Sequence, residues 1–108
     1  MTVKELVCAL DCKIACMPDE DREITGGYAG DLLSWVMGRA SSGDAWVTIM
    51  SNMNIVAVAS LADTACIILS EGVEPDDGVV AKATEVGVNI LLSKLDTFAL
   101  CSSISKLI

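Results

Sequence analysis

The sequence has no histidine, two prolines, two tryptophans, one tyrosine and one phenylalanine. Without histidine, no Ser-His or Cys-His catalytic arrangement of the usual kind can be assembled, and no mixed Cys/His metal site can be completed. Basic residues are also scarce: seven Lys and Arg against fifteen Asp and Glu leave a net charge of -8. Phosphate neutralisation supplies most non-specific nucleic-acid affinity, so DNA, RNA and anionic membrane surfaces are poor partners for this chain. A small anion held at one site by backbone N–H groups is compatible with that charge. The longest apolar stretches, such as residues 55–59, fall far short of the ~18 residues of a membrane-spanning helix. The opening MTVKELVCALDC has charges where a secretion signal needs an apolar run, so a cytoplasmic location is expected. There is no G-x4-G-K-[ST], no G-x-S-x-G and no G-x-G-x-x-G, which removes the common phosphate-loop, hydrolase and dinucleotide signatures. No enzyme is indicated, and neither a cofactor nor a metal is expected.

The 108 residues suit one domain, expected to span 1–108. Hydrophobic residues make up 53% of the chain, mostly small Ala, Val, Cys and Met, which suits close packing of helices on a sheet. Five cysteines are an odd number in a chain without a secretion signal, and argue against a disulfide framework. Cys8, Cys12 and Cys16 recur every fourth residue, but the spacing fits neither zinc pairs nor ferredoxin runs. They are read as buried small hydrophobes, with Cys12, Ile14 and Cys16 on one face of a strand; a redox or metal role is the competing reading. Asp19, Glu20 and Asp21 are read as a solvated acidic run rather than a magnesium site.

Thr2 and Glu5 form a capping-box pattern that predicts a helix over about 3–10. CKIAC alternates as a strand. Leu32, Leu33, Val36, Met37 and Ala40 recur at helical spacing, with Asp31 in the first turn and Arg39 in the last. AWVTIM reads as a strand, and NMNIVAVASLAD as a helix capped by Asn52 or Asn54. ACIILS is the next strand; a helix over about 78–86 follows, capped by Asp76 or Asp77 and stopped at Gly87. NILLS is the last strand, and Asp96 caps a final helix with Phe98, Cys101, Ile104 and Ile108 as its inner stripe. This order predicts an α/β fold: a small three-layer sandwich of about four mostly parallel strands with helices on both faces.

In such sheets ligands bind beyond the carboxyl ends of the strands, where the strand order reverses. The loops expected there are 17–30, 51–54, 70–77 and 93–97. Their candidate ligand-binding residues are Arg22, Thr25, Gly26, Gly27, Asn52, Asn54, Ser93, Asp96 and Thr97. Thr25, Gly26 and Gly27, read as leading into a helix, would let backbone N–H groups cradle a phosphate. The competing reading is a turn, with Asp21 and Arg22 as a surface ion pair. Trp35 and Trp46 are candidates either for the core or for an interface between subunits.

The ordered residues Asp21, Arg22, Thr25, Gly26 and Gly27, followed by GGYAGDLLSWVM, GDAWVTI, NIVAVASLAD, ACIILSEGVEPDD and SKLDTFAL, make the chain resemble a free-standing DRTGG domain over nearly its whole length. The resemblance implies a small α/β fold similar to the N-terminal domain of HPr kinase/phosphorylase. It also implies a regulatory or dimer-forming role, as in the copies inserted beside CBS domains in some inorganic pyrophosphatases and next to the catalytic part of some phosphotransacetylases. A kinase label does not carry over, because the kinase's phosphate loop lies in its other domain. The expectation is therefore a non-catalytic regulatory or protein-interaction module, homodimeric, acting on or beside a separate catalytic protein. The alternative is a small-molecule sensor that binds a nucleotide or other phosphate ester at the Thr25-Gly26-Gly27 turn.

Overall fold

The computed structural model describes all residues from Met1 to Ile108. Its elements are α1 (Val3–Leu10), β1 (Lys13–Cys16), β2 (Gly26–Ala29), α2 (Leu33–Arg39), β3 (Asp44–Thr48), α3 (Asn54–Ala62), β4 (Cys66–Leu69), α4 (Val79–Val86), β5 (Ile90–Leu92) and α5 (Thr97–Ser105). The strands form one sheet in the order β1-β5-β4-β3-β2. β2 through β5 are parallel, and β1 runs antiparallel beside β5. The α/β class and the layered arrangement follow the expectation, with one strand more than the four read from the sequence. The extra strand is β2, formed by the very glycines read as a turn: Gly26-Gly27-Tyr28-Ala29 pairs with Asp44 through Val47. Glycine disfavours strands, but an edge strand with one paired side accepts it.

β2, β3, β4 and β5 follow one another across the sheet without reversal. Right-handed crossovers stepping in one direction must all pass over the same face. Accordingly α2, α3 and α4 cover one side, where Val36, Ile55, Val56, Ala59, Val79 and Ala83 pack on Trp46, Ile67, Leu69, Ile90 and Leu92. On the other side, α1 and α5 set Val3, Leu6, Leu100 and Ile104 against Ala45, Val47, Cys66, Ile68 and Leu91. β3 and β4 are therefore buried along their whole length, which is why both read as continuous apolar runs.

Local chemistry explains where the elements begin and end. Both halves of the Thr2/Glu5 capping box form at α1. Gly87 stops α4 with φ 83°, the left-handed region that glycine enters without strain. Asp96 caps α5 by accepting from the Ala99 N–H at 2.9 Å. Other expected caps are used differently. Asp31 does not start α2; its Oδ1 accepts from the Thr48 hydroxyl at 2.8 Å and the Ile49 N–H at 3.0 Å. Asn52 makes a local turn with the Asn54 N–H at 2.9 Å, and α4 follows Gly78 with no side-chain cap. The inner stripe of α5 is Leu100 and Ile104; Phe98 points outward, 85% exposed.

The evenly spaced cysteines follow the expectation of burial only at Cys12 and Cys16. Cys12 and Cys16 are buried, but in opposite cores, because a register shift between Ile14 and Cys16 moves Cys16 to the other face. Ile14, expected between them in the core, is 45% exposed, and Cys8 is exposed. The three sulfurs thus do not converge. Of the two tryptophans, Trp46 is core, its Nε1 donating to the Gly30 carbonyl at 2.9 Å. No helix is long and apolar enough to cross a membrane.

Cys66 sits fully buried in β4, and burial, with a smaller contribution from Cys12, pushes its thiol from the ordinary 9.0 up to about 12. An unfolded chain ionises this thiol first, so its contribution to stability is intact below about pH 9 and lost as pH rises toward 12, at up to about 1.4 kcal/mol per pH unit. Urea titrations of the wild type and Cys66→Ala at about pH 8 and about pH 11 are expected to show a steeper loss in the wild type. Equal losses would mean that the thiol is not linked to folding.

Candidate functional site

The nine candidate residues fall at two opposite ends of the sheet. Because β1 is antiparallel, the segment after it returns to the amino ends of the parallel strands, and carries Arg22, Thr25 and Gly26 there. Asn52, Asn54, Ser93, Asp96 and Thr97 lie at the carboxyl ends. The expected placement of residues 17–25 at the carboxyl end fails for that reason, and a crevice at a strand-order reversal has no place among parallel strands that never reverse.

At the amino end, Arg22 ties three segments together. Its guanidinium donates to the Asp63 carboxylate and the Asp63 carbonyl, each at 3.0 Å, and to the Ser42 hydroxyl at 3.4 Å. Asp63 ends α3 in the left-handed conformation, φ 59°. Hydrogen bonds from Arg22, then from Ser42, hold its carboxyl below the ordinary carboxylate range. The expected partner of Arg22 was Asp21; Asp63, far away in sequence, takes that place.

The rest of the signature meets the segment that leads into β3. A Cβ on Gly43, whose φ is +86°, would strike the Thr25 hydroxyl, and one on Gly26 would come within 2.7 Å of Asp44 Oδ1. Asp44 is buried and its other carboxylate oxygen accepts from the Ser41 N–H at 2.7 Å, so it has little freedom to retreat. Gly27 is less confined, with a hypothetical Cβ 3.6 Å from the Ala45 carbonyl. Arg22, Thr25 and Gly26 thus clasp the edge strand to the start of β3 and the end of α3. The premise of the anion cradle changes with this geometry: the glycines form a strand rather than the approach to a helix, and a carboxylate stands beside the first of them.

Asn89 is a structural residue that gave no sequence signal. It is buried beneath the loop after β1, donates to the Asp19 and Ala65 carbonyls at 2.8 and 3.0 Å, and accepts from the Asp19 N–H at 2.9 Å.

At the carboxyl end two loops lock together. Ser70 is fully buried, and its hydroxyl lies 2.6 Å from that of Thr97. Glu71, at φ 62°, donates its N–H to the Leu95 carbonyl at 2.8 Å and accepts from the Thr97 N–H at 2.8 Å. The Gly72 N–H reaches the Ser93 carbonyl at 3.0 Å, and Ser93 Oγ accepts from the Leu95 N–H at 3.2 Å. Ser93, Asp96 and Thr97 are therefore grouped, whereas Asn52, in the turn before α3, and Asn54, its first residue, sit apart. A cavity of about 220 Å³ lies beside the locked loops, lined by Lys13, Gly72, Val73, Glu74, Leu92, Ser93 and Lys94. A second, apolar groove of about 280 Å³ opens at the β2 edge, between Gly27, Ala29 and Val47 of the sheet and Cys101, Ile104 and Ile108 beyond it.

The sequence pattern of the DRTGG domain family matches residues 5–107. No curated protein matches the chain. Among solved structures, the chain is similar to the CBS and DRTGG domains of the regulatory region of Clostridium perfringens pyrophosphatase, complexed with the activator diadenosine tetraphosphate. The TM-score is 0.75 at 12% identity; the match covers 95% of this chain and 45% of that one. The chain thus spans less than half of the length of that structure, and at this identity the likeness is one of fold.

The contacts of the signature predict a graded response to adding one methyl group. Gly43→Ala is expected to cost about 1–3 kcal/mol, since it combines a left-handed backbone with a clash. Gly26→Ala costs about 1–2 kcal/mol through the crowding of Asp44. Gly27→Ala is expected to change stability by less than about 1 kcal/mol. Thermal melts of the three variants check the order, and a Gly27 variant as damaged as the other two would contradict it.

Proposed function

Since the chain belongs to the DRTGG domain family, we propose that residues 1–108 form one non-catalytic regulatory module that works as a homodimer, acting on or beside a separate catalytic protein. The similar pyrophosphatase domains lie in a regulatory region, which supports the regulatory part of the reading. The dimer rests on one observation, the apolar, half-open β2 side of the molecule. β2 has β3 on one side only, and the groove beside it is lined mainly by apolar residues. On the opposite face of the sheet the α2 segment leaves Leu32 58% and Trp35 51% exposed, with Arg39 stacked 3.6 Å over the Trp35 ring. Apolar surface beside an unpaired strand edge is what a second subunit covers in small domains. Trp35 is then the interface tryptophan of the two.

Light scattering on the purified protein at micromolar concentration is expected to give twice the 11.3 kDa chain mass. Leu32→Glu, at an exposed position, is expected to shift the mass toward one chain without lowering the melting temperature of the folded unit by more than a few degrees. A wild-type protein that scatters as a single chain would sink the dimer.

The sensor reading has separate support, in that the similar domains were solved with a nucleotide activator. A nucleotide or other phosphate ester is the ligand class it implies here. The amino-end clasp, with Asp44 beside Gly26 and Asp63 bound to Arg22 and Ser42, favours that ligand less than the carboxyl end, where Ser93, Asp96 and Thr97 gather.

A further inference from the structure

The cavity at the carboxyl end of β5 carries an inference that deepens the sensor reading and rests on it. Two of the chain's seven basic residues, Lys13 at the start of β1 and Lys94 just after β5, line this one cavity. They meet because the antiparallel β1 begins where the parallel strands end, with Lys13 paired to Leu92. Neither ammonium forms an ion pair within the chain; the three ion pairs involve the N-terminus, Arg22 and Lys82. In a protein of net charge -8, two lysines without an ion pair and one carboxylate, from Glu74, line this cavity, which leaves its lining with an excess of positive charge.

The walls of the cavity are held in place. Gly72, with φ +72° and no atom within 4 Å of where a Cβ would be, leaves the mouth open, and its N–H is anchored to the Ser93 carbonyl. Ser93 itself is buried. The backbone N–H groups of Lys94 and Glu74, on the two locked loops, have no acceptor within the chain. Unpaired ammonium groups, free backbone donors and a rigid loop floor are the requirements for holding a phosphoryl group.

We propose that this cavity binds the phosphate of a small phosphorylated molecule, with Lys13 and Lys94 as its cationic ligands. A volume of about 220 Å³ lies below the range of sites that enclose a whole drug-sized ligand, roughly 300–1,000 Å³. The cavity therefore takes the phosphate end, and the remainder of a larger ligand such as a nucleotide extends past Gly72. Glu74 also lines it, and its carboxylate opposes a bare anion while accepting a hydrogen bond from a hydroxyl or amino group of a phosphate carrier. An ester is thus favoured over inorganic phosphate.

The test is nitrogen-15 NMR of the full chain titrated with adenosine 5'-monophosphate and, separately, with inorganic phosphate. The expected result is amide shifts at Gly72, Ser93 and Lys94, with the ester bound more tightly. Lys13→Met with Lys94→Met should weaken binding at least tenfold, whereas Lys94→Arg and the remote control Lys82→Met keep it. If the ester binds but the double lysine variant binds equally well, the cavity is wrong and the sensor reading stands. If the wild type binds neither probe at millimolar concentration, both fall. Tighter binding of inorganic phosphate than of the ester would overturn the role given to Glu74.

Discussion

The central parallel pair β3 and β4 has to be covered on both faces, and most of the molecule is a response to that requirement. Nine adjacent strand residues from Asp44 to Thr48 and Cys66 to Leu69 are all buried. In a chain this short the cover has to be thin and closely fitted, which suits small and aliphatic side chains and accords with the few aromatics in the sequence. Three crossover helices close one face because the strands step in a single direction; the first and last helices close the other. The only large ring in the middle, Trp46, is admitted with its indole N–H paired to a carbonyl, the usual condition for burying that group.

The same topology separates the ends of the sheet by chemistry. With no reversal among the parallel strands, there is no switch-point crevice at their carboxyl ends, and the two surfaces singled out above lie at the margins of the sheet. One margin is β2, apolar and half-paired; the opposite margin is the β1/β5 edge with its two lysines. These two surfaces share no residue.

Much of this architecture was legible in the sequence. Strands buried on both faces announce themselves as continuous apolar runs, and the Thr2/Glu5 box, Gly87 and Asp96 mark helix ends by local chemistry alone. What escaped was set by partners distant in the chain. GGYA has neither the alternation nor the side chains of a strand, and becomes one because β3 offers a free edge and Arg22, Thr25 and Gly26 fasten it there. Cys16 left the face of Cys12 through a single irregularity in β1. The meeting of Lys13 with Lys94 depends on the antiparallel placement of β1, which no local pattern encodes. Of the nine candidate residues expected together, Ser93, Asp96, Thr97, Asn52 and Asn54 lie at the carboxyl ends of the strands, while Arg22 and Thr25 lie at the amino end for the same reason.

The clasp around the edge strand also bears on how such chains can diverge. Thr25 has its shape only against the missing side chain of Gly43, Gly26 only against Asp44, and Arg22 only against Asp63 and Ser42. Arg22, Thr25 and Gly26 are therefore one half of an interlocking set, and the other half is Ser42-Gly43-Asp44 with Asp63. A side chain at Gly43 meets both the Thr25 hydroxyl and a left-handed backbone, so shrinking Thr25 removes only the clash, and loss of the Asp63 carboxylate leaves Arg22 with a carbonyl and a hydroxyl. Substitutions in these two short segments therefore act on one another, as the parts of a lock do with its key.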